Sequence, residues 1–205
     1  MLKIEGLRLL PGQGPRELVR EAARLLRTEE SRIKALHVLR RSIDARDGVE
    51  LVYTAAVELA DEEKLLRRLH RSRKVSRYVP PPPYAPPAPI ALPETAPVVV
   101  GAGPAGLFAA LVLALSGARP ILLEQGRTVE QRQADVARFW QTGALVPRSN
   151  VQFGEGGAGA FSDGKLNTGT RDPRHRFILE QLTACGAPED ILIDAKPHVG
   201  TDMLH

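Results

Sequence analysis

Three glycines, Gly101, Gly103 and Gly106, followed by an acid, Glu124, 23 residues after the first of them, are the residues whose spacing points most directly to chemistry. In Val98-Val-Val-Gly-Ala-Gly-Pro-Ala-Gly-Leu107 an apolar run ends at a glycine turn. An uncharged stretch rich in Ala and Leu continues to Ser116, and Pro120-Ile-Leu-Leu-Glu124 reads as a second strand tipped by a carboxylate. This is the grammar of a dinucleotide-binding βαβ unit. Gly101 permits the tight turn out of the first strand, Gly103 lets the backbone reach a pyrophosphate with no Cβ in the way, and Gly106 lets the helix lie close on the sheet. The negative charge of the ligand then faces the positive end of the helix. Glu124 accepts hydrogen bonds from ribose hydroxyls and repels a 2′-phosphate.

Two plainer readings compete. Glycine-rich βα turns also occur where nothing binds, but here the context is complete: Val98 to Val100 reads as a buried strand, the helix follows, and Gly117 sits where a helix stops. Val98 to Ser116 is also 19 residues without a charge, long enough for a membrane span. Pro104 and the glycines interrupt that run, so a span and a membrane partner are rejected.

The second chemistry-bearing segment is Asn150 to Leu166, which holds Gly154, Gly156, Gly157, Gly159 and Gly164 together with Ser162, Asp163 and Lys165. Glycine at that density costs backbone entropy, and close approach to a ligand is the natural reason for it; a surface loop is the alternative. Backbone N–H groups and Ser162 would donate, and Lys165 would supply a point charge. Between the two glycine segments, Thr128-Val-Glu-Gln131 reads as a capping box opening a helix through Trp140. Val129, Val136, Phe139 and Trp140 are its packing residues, with Trp140 expected in the core.

These two segments together resemble the FAD-dependent dehydrogenases of the two-dinucleotide-binding type, and most specifically a bacterial family of uncharacterised FAD-dependent (NAD-utilising) dehydrogenases. Members carry a small N-terminal domain with a hairpin segment like Ser42-Ile-Asp-Ala-Arg46, the glycine run ending in Ser-Asp-Gly-Lys-Leu, and a segment like Lys196-Pro-His-Val-Gly-Thr-Asp202. The resemblance implies that Gly101, Gly103, Gly106 and Glu124 hold the ADP half of FAD, and that the second run approaches the pyrophosphate and flavin. The expected cofactor contacts are therefore Gly101, Gly103, Pro104, Ala105, Gly106, Glu124, Gln125, Arg127, Gly156, Gly157, Gly159, Ser162, Asp163 and Lys165. The partner would be a small-molecule electron donor or acceptor, NAD(P)H among them. In disulfide reductases that look similar, a redox cysteine pair follows a comparable Gly-Gly; here no cysteine follows Gly157 before Cys185, which disfavours thiol–disulfide exchange. A second reading keeps the fold but places NAD at the fingerprint, against which the glycine run at 154–164 argues.

The positioning elements follow from the rest of the chain. The apolar share of 43% and charged share of 25% are those of a soluble globular protein. One cysteine excludes an internal disulfide and a thiolate metal cluster. Cys185 ends a helix begun by Asp172-Pro173 and stopped by Gly186, where a small buried apolar role is expected. The N-terminus lacks the apolar core of a signal peptide, and the cytoplasm is the expected location. Residues 1–79 carry 18 Lys and Arg against 12 acids, the remainder 10 against 12. Between them Pro80 to Pro89, with Pro93 and Pro97, reads as an extended polyproline linker over 80–95.

Residues 1–79 read as strand, helix, hairpin, helix: Leu2 to Leu10; a helix from Pro15 with Leu18, Ala22, Leu25 and Leu26 as its stripe; Ile33 to Ile43 joined through Asp47-Gly48 to an alternating strand from Val49 to Leu59; and a basic helix from Asp61 on to Arg77. That last cluster, Arg67, Arg68, Arg71, Arg73, Lys74 and Arg77, raises a third reading, an RNA- or polyanion-binding module. With no aromatic platform, a solvated face or docking on an acidic partner is preferred, and nucleic acid is not the expected partner.

The expected architecture is α/β: an incomplete, Rossmann-like FAD-binding parallel sheet over 96–205, preceded by a small α+β domain. Only 104 residues follow Gly101 and no second fingerprint occurs, so the chain is expected to be the N-terminal portion of a longer flavoprotein, with a new amphipathic element beginning at Met203-Leu-His205. His37 and His70 stand alone and no metal site is assigned. His198, among Gly, Lys and Asp residues, is a proton-transfer candidate or a structural histidine partnered by Lys196, Thr201 or Asp202. His175 reads as a surface residue, and no catalytic residue is assigned.

Overall fold

The computed structural model describes residues 1–88, 94–170 and 172–204. The chain divides into two compact units, residues 1–82 with 189–197 and residues 83–188 with 198–205. The stretch 189–197 thus groups with the N-terminal residues.

The first unit is a four-stranded antiparallel sheet of order β2-β3-β1-β4, where β1 is Leu2–Leu9, β2 Ile33–Asp44, β3 Glu50–Leu59 and β4 Val75–Arg77. In β1 the apolar parity changes from even to odd: Leu2 and Ile4, then Leu7 and Leu9. A bulge at Gly6, whose φ is +76°, absorbs one residue between Glu5 and Leu7, so all four side chains are buried. Helix α1, Pro15–Leu26, starts on a proline that needs no amide partner. The Glu17 carboxylate accepts from the Gly14 N–H at 2.9 Å, and Leu18, Ala22 and Leu26 join the core.

The sequence predicts a helix from Asp61 through Arg77, and the structure corrects it. Helix α2 is Glu62–Arg68, a turn follows, and β4 pairs antiparallel with β1. Residues 70–74 offer no apolar side chain to bury, so nothing holds a longer helix down, whereas Val75 enters the sheet core. The basic cluster is dispersed as a result. Arg68 donates to the Leu26 and Arg27 carbonyls at 2.7 and 2.8 Å, capping the end of α1, and Arg77 pairs with Glu63.

Within the same unit, residues 189–197 run along the outer strand β2. The Arg41 N–H donates to the Ile193 carbonyl and the Ala195 N–H to the Arg41 carbonyl, both at 2.7 Å. The Arg41 guanidinium grips Asp194 at 2.7 and 3.0 Å and Asp190 at 2.8 Å, contacts that raise its pKa further, and Ile191 is buried beneath.

The second unit is built on two parallel strands, β5 Val98–Val100 and β6 Ile121–Leu123, in the register Val98–Ile121 to Val100–Leu123, joined by helix α3, Pro104–Leu115. Helices α4, Val129–Thr142, and α5, Arg174–Ala184, follow. Of the Pro-rich stretch, Pro80 to Ala88 carries no helix or strand, and Tyr84 meets Phe177 edge-on at 5.0 Å; Pro89 and Pro93 lie outside the described residues, as does His205.

Three burial expectations are corrected here. Val98 to Val100 is not a buried strand: Val100 is 83% exposed, and Ile121 and Leu123 are exposed beside it, because a two-stranded parallel ribbon cannot cover both its faces. Trp140 is 73% exposed. The buried face of α4 is Arg132, Asp135 and Val136 in its first two turns, and Trp140 stands beyond them against Phe139. Cys185, the residue that ends α5, is exposed rather than packed. No helix among the described residues is long and apolar enough to cross a membrane.

The clamp on β2 makes a local prediction. Arg41→Ala should raise hydrogen exchange at the Ala195 amide about tenfold or more, since charge-assisted bonds of this kind contribute about 1.5–3 kcal/mol. The amides pairing β1 with β3 should keep their protection; equal loosening of both would show that Arg41 supports the whole unit.

Candidate functional site

The glycine turn between β5 and α3 has the geometry its sequence requires. Gly101 adopts φ +99° and donates its N–H to the Leu123 carbonyl at 2.7 Å, tying the turn to the tip of β6. Gly103 is the extended residue before the helix, and Pro104 opens α3. A Cβ on Gly106 would lie 1.8 Å from the Gly101 carbonyl oxygen, so the helix packs against the turn at a separation only glycine allows.

Glu124 completes the turn from the other strand. Its Oε2 accepts from the Ala102 N–H at 2.7 Å and its Oε1 from the Gly126 N–H at 2.8 Å. These bonds, the Ala102 one first, hold the carboxyl below its usual pKa. Each oxygen keeps lone-pair capacity, so the same carboxylate that shapes the turn can also accept from a ribose hydroxyl.

The second glycine run lies directly on the first. The Gly156 N–H donates to the Ala102 carbonyl at 2.8 Å, and a Cβ on Gly157 would come within 3.1 Å of the Gly103 Cα and 3.3 Å of the Pro104 Cδ. A short 3-10 turn, Gly157–Phe161, follows. Glu155 replaces the expected capping box: Thr128 makes no side-chain cap bond, and the Glu155 carboxylate instead accepts the Val129 N–H at 2.9 Å at the start of α4. Beside the two runs lies an open cleft of about 600 Å³, lined by Val100, Gly101, Gly103, Leu123, Glu124 and Gln125 from the βαβ unit and by Gln152, Phe153, Gly154 and Gly157 from the second run.

Of the residues expected to contact a cofactor, Gly101, Gly103, Glu124, Gln125 and Gly157 thus share one cleft. Pro104, Ala105, Gly106, Gly156 and Gly159 build the turns around it. The remaining four do not line it. The Ser162 hydroxyl donates to the Gly159 carbonyl at 2.8 Å and accepts the Gly164 N–H at 3.1 Å, so its one donor holds the loop. Lys165 pairs with Asp163 at 2.7 Å, and Arg127 pairs with Asp135 at 3.0 Å. His198 is exposed, beside Lys165 in an isolated antiparallel bridge, and His175 binds Thr170 Oγ1 at 3.0 Å.

The sequence reading missed Gln152 and Phe153 as lining residues, although both lie inside the run it singled out. It also missed Arg132. This side chain is wholly buried and donates to the carbonyls of Asn150, Glu155 and Val151 at 2.7, 2.6 and 2.9 Å, with its guanidinium 4.7 Å from the Phe161 ring centre. Burial pushes its pKa down while the charge of Glu124 pulls it back up. Nothing in a polar stretch of helix marks an arginine for such a place.

Comparison with known proteins bears on both parts of the chain. Residues 94–138 match the family described as FAD binding domain, and residues 1–60 match a domain of unknown function (DUF8436). An uncharacterized protein of Clostridium beijerinckii is 40% identical over 196 residues, covering 91% of this chain. The chain spans about a third of that relative, 35% of its length. The family match covers the β5-α3-β6 unit and its acid, and so supports FAD binding.

Two outcomes follow from this geometry. Gly106→Ala should destabilise the second unit by about 1–3 kcal/mol or more, read as a lowered denaturation midpoint, because the added methyl meets backbone and not a movable side chain. Glu124 has a folded pKa below its unfolded value. Its contribution is therefore complete above the ordinary carboxylate range and is lost as pH falls through that range toward the folded value. Glu124→Gln should flatten the stability-against-pH curve there, and an unchanged slope would contradict the assignment.

Proposed function

We propose that the cleft between the two glycine runs holds the ADP half of FAD, and that the chain is the N-terminal portion of an FAD-dependent oxidoreductase of the dehydrogenase type. In this reading residues 96–205, apart from the stretch 189–197 that groups with the first unit, belong to a Rossmann-like FAD-binding domain preceded, across the Pro-rich linker at 80–95, by the small α+β domain of residues 1–79. The observation that carries it is the contact of Gly157 with Gly103 beside Glu124. Backbone lies on backbone, and the wall so formed leaves a ligand free to approach main-chain N–H groups. A Cβ at Gly103 would meet only the Gly157 Cα, at 4.0 Å, and is otherwise unobstructed by protein.

Each element of the site has a defined task. The first turn of α3 presents N–H groups and the positive end of the helix to a pyrophosphate. Glu124, held ionised, takes the ribose hydroxyls and disfavours a 2′-phosphate. Gln125, Gln152 and Phe153 line the same cleft. When bound, FAD supplies hydride or electron-pair transfer, and these residues bind and orient it. The exchange partner is a small-molecule donor or acceptor, with NAD(P)H the first to test. NAD at the fingerprint is the less favoured reading, because a plain NAD site has no use for a second glycine run folded onto the first.

Titration of the protein with FAD, followed by quenching of flavin fluorescence, tests the reading. Gly103→Val should abolish binding by filling the cleft, with the unfolding midpoint near that of the parent, since φ of −75° and ψ of 177° suit a β-branched residue. Glu124→Ala should weaken binding less. Normal FAD binding by the Gly103→Val protein would overturn the assignment.

A further inference from the structure

The buried arginine beneath the cleft has a role that its hydrogen bonds alone do not exhaust. The three hydrogen-bond acceptors of Arg132 are neutral backbone carbonyls, and among the described residues no carboxylate forms an ion pair with it. A buried charge is normally paired, or solvated by groups that repay its desolvation. Here carbonyl dipoles and the face of Phe161 solvate the guanidinium, but they leave its charge in place.

That charge lies one glycine away from the cleft. Gly154 lines the cleft, and a Cβ on it would come within 2.7 Å of Arg132 Cδ and 3.0 Å of Nε. Gln152 and Phe153, the lining residues before it, are carried by the Asn150 and Val151 backbone that Arg132 binds. In a low-dielectric wall such a charge acts on the cleft with little screening.

We infer that Arg132 is a positioning residue for the diphosphate of the ligand: it holds the 150–155 backbone as one wall of the cleft and sets a positive potential there, opposite the positive end of α3. The inference rests on the ADP-site reading and assigns the cleft's preference for an anionic ligand to a residue that does not line it. Glu124, close enough for its charge to act on Arg132, then serves the ribose, and Arg132 serves the phosphates.

Calorimetric titration with ADP and with adenosine tests this, because the two differ only in the diphosphate. The parent protein should prefer ADP. Arg132→Gln, which retains donors but not charge, should lose at least about tenfold in ADP affinity and less than about threefold in adenosine affinity. Arg132→Lys, which keeps the charge with fewer donors, should hold the ADP-to-adenosine ratio near that of the parent, and it carries the test if the Gln protein does not fold. Parallel loss of both ligands in the Gln protein, unchanged ADP binding in it, or a collapsed ratio in a folded Lys protein would overturn the role of Arg132 while leaving the cleft assignment standing. A parent protein that binds neither ADP nor FAD would overturn both.

Discussion

The seating of one glycine-rich backbone on another is the constraint on which the second unit depends. The Gly156 N–H reaches the Ala102 carbonyl, and Gly157 lies so near Gly103 and Pro104 that an added Cβ would press on both. Such contact forgoes the apolar burial that normally stabilises a turn, and the deficit is met by hydrogen bonds. Glu124 ties Ala102 to Gly126, Gly101 ties the turn to Leu123, and Glu155 caps α4. Each of these fixes a piece of irregular backbone that has no sheet or helix partner. The result is a cleft in which the glycine backbone of Gly101, Gly103, Gly154 and Gly157 is bare beside the side chains of Val100, Leu123, Glu124, Gln125, Gln152 and Phe153.

Charge is arranged in this unit by burial more than by number. Asp163 and Lys165 are exposed and paired with each other, and contacts of that kind contribute little. Arg132 and Glu124, by contrast, are held by several backbone groups each, and in the low dielectric around them their fields persist. The first unit reaches its stability by a different route. There the bulge at Gly6 lets four apolar side chains of β1 face one core, and Arg41 anchors residues 189–197 to its outer strand.

What was legible in the sequence is what local chemistry dictates. Gly101 and Gly106 announce a turn and a close approach because no other residue tolerates them, and Pro15 and Gly117 mark helix ends for equally local reasons. Burial was not legible in the same way. Val100 and Trp140 are apolar, yet what covers them depends on neighbours in space and not on their own type. Arg132 was hidden for a related reason: its partners are peptide carbonyls 18 to 23 residues away, and a carbonyl leaves no signature in the sequence. The same holds for α4, where Glu155, 26 residues from Val129, takes the place of a local cap. β4 escaped because a three-residue strand with one buried side chain is outweighed by the basic run before it.

The most direct measurement is the visible absorption spectrum of the purified, undenatured protein, with the pigment released by denaturation and identified by chromatography. The expected result is the two-banded spectrum of an oxidised flavin and the release of FAD. A colourless protein that stays colourless after incubation with FAD and removal of the excess would contradict it.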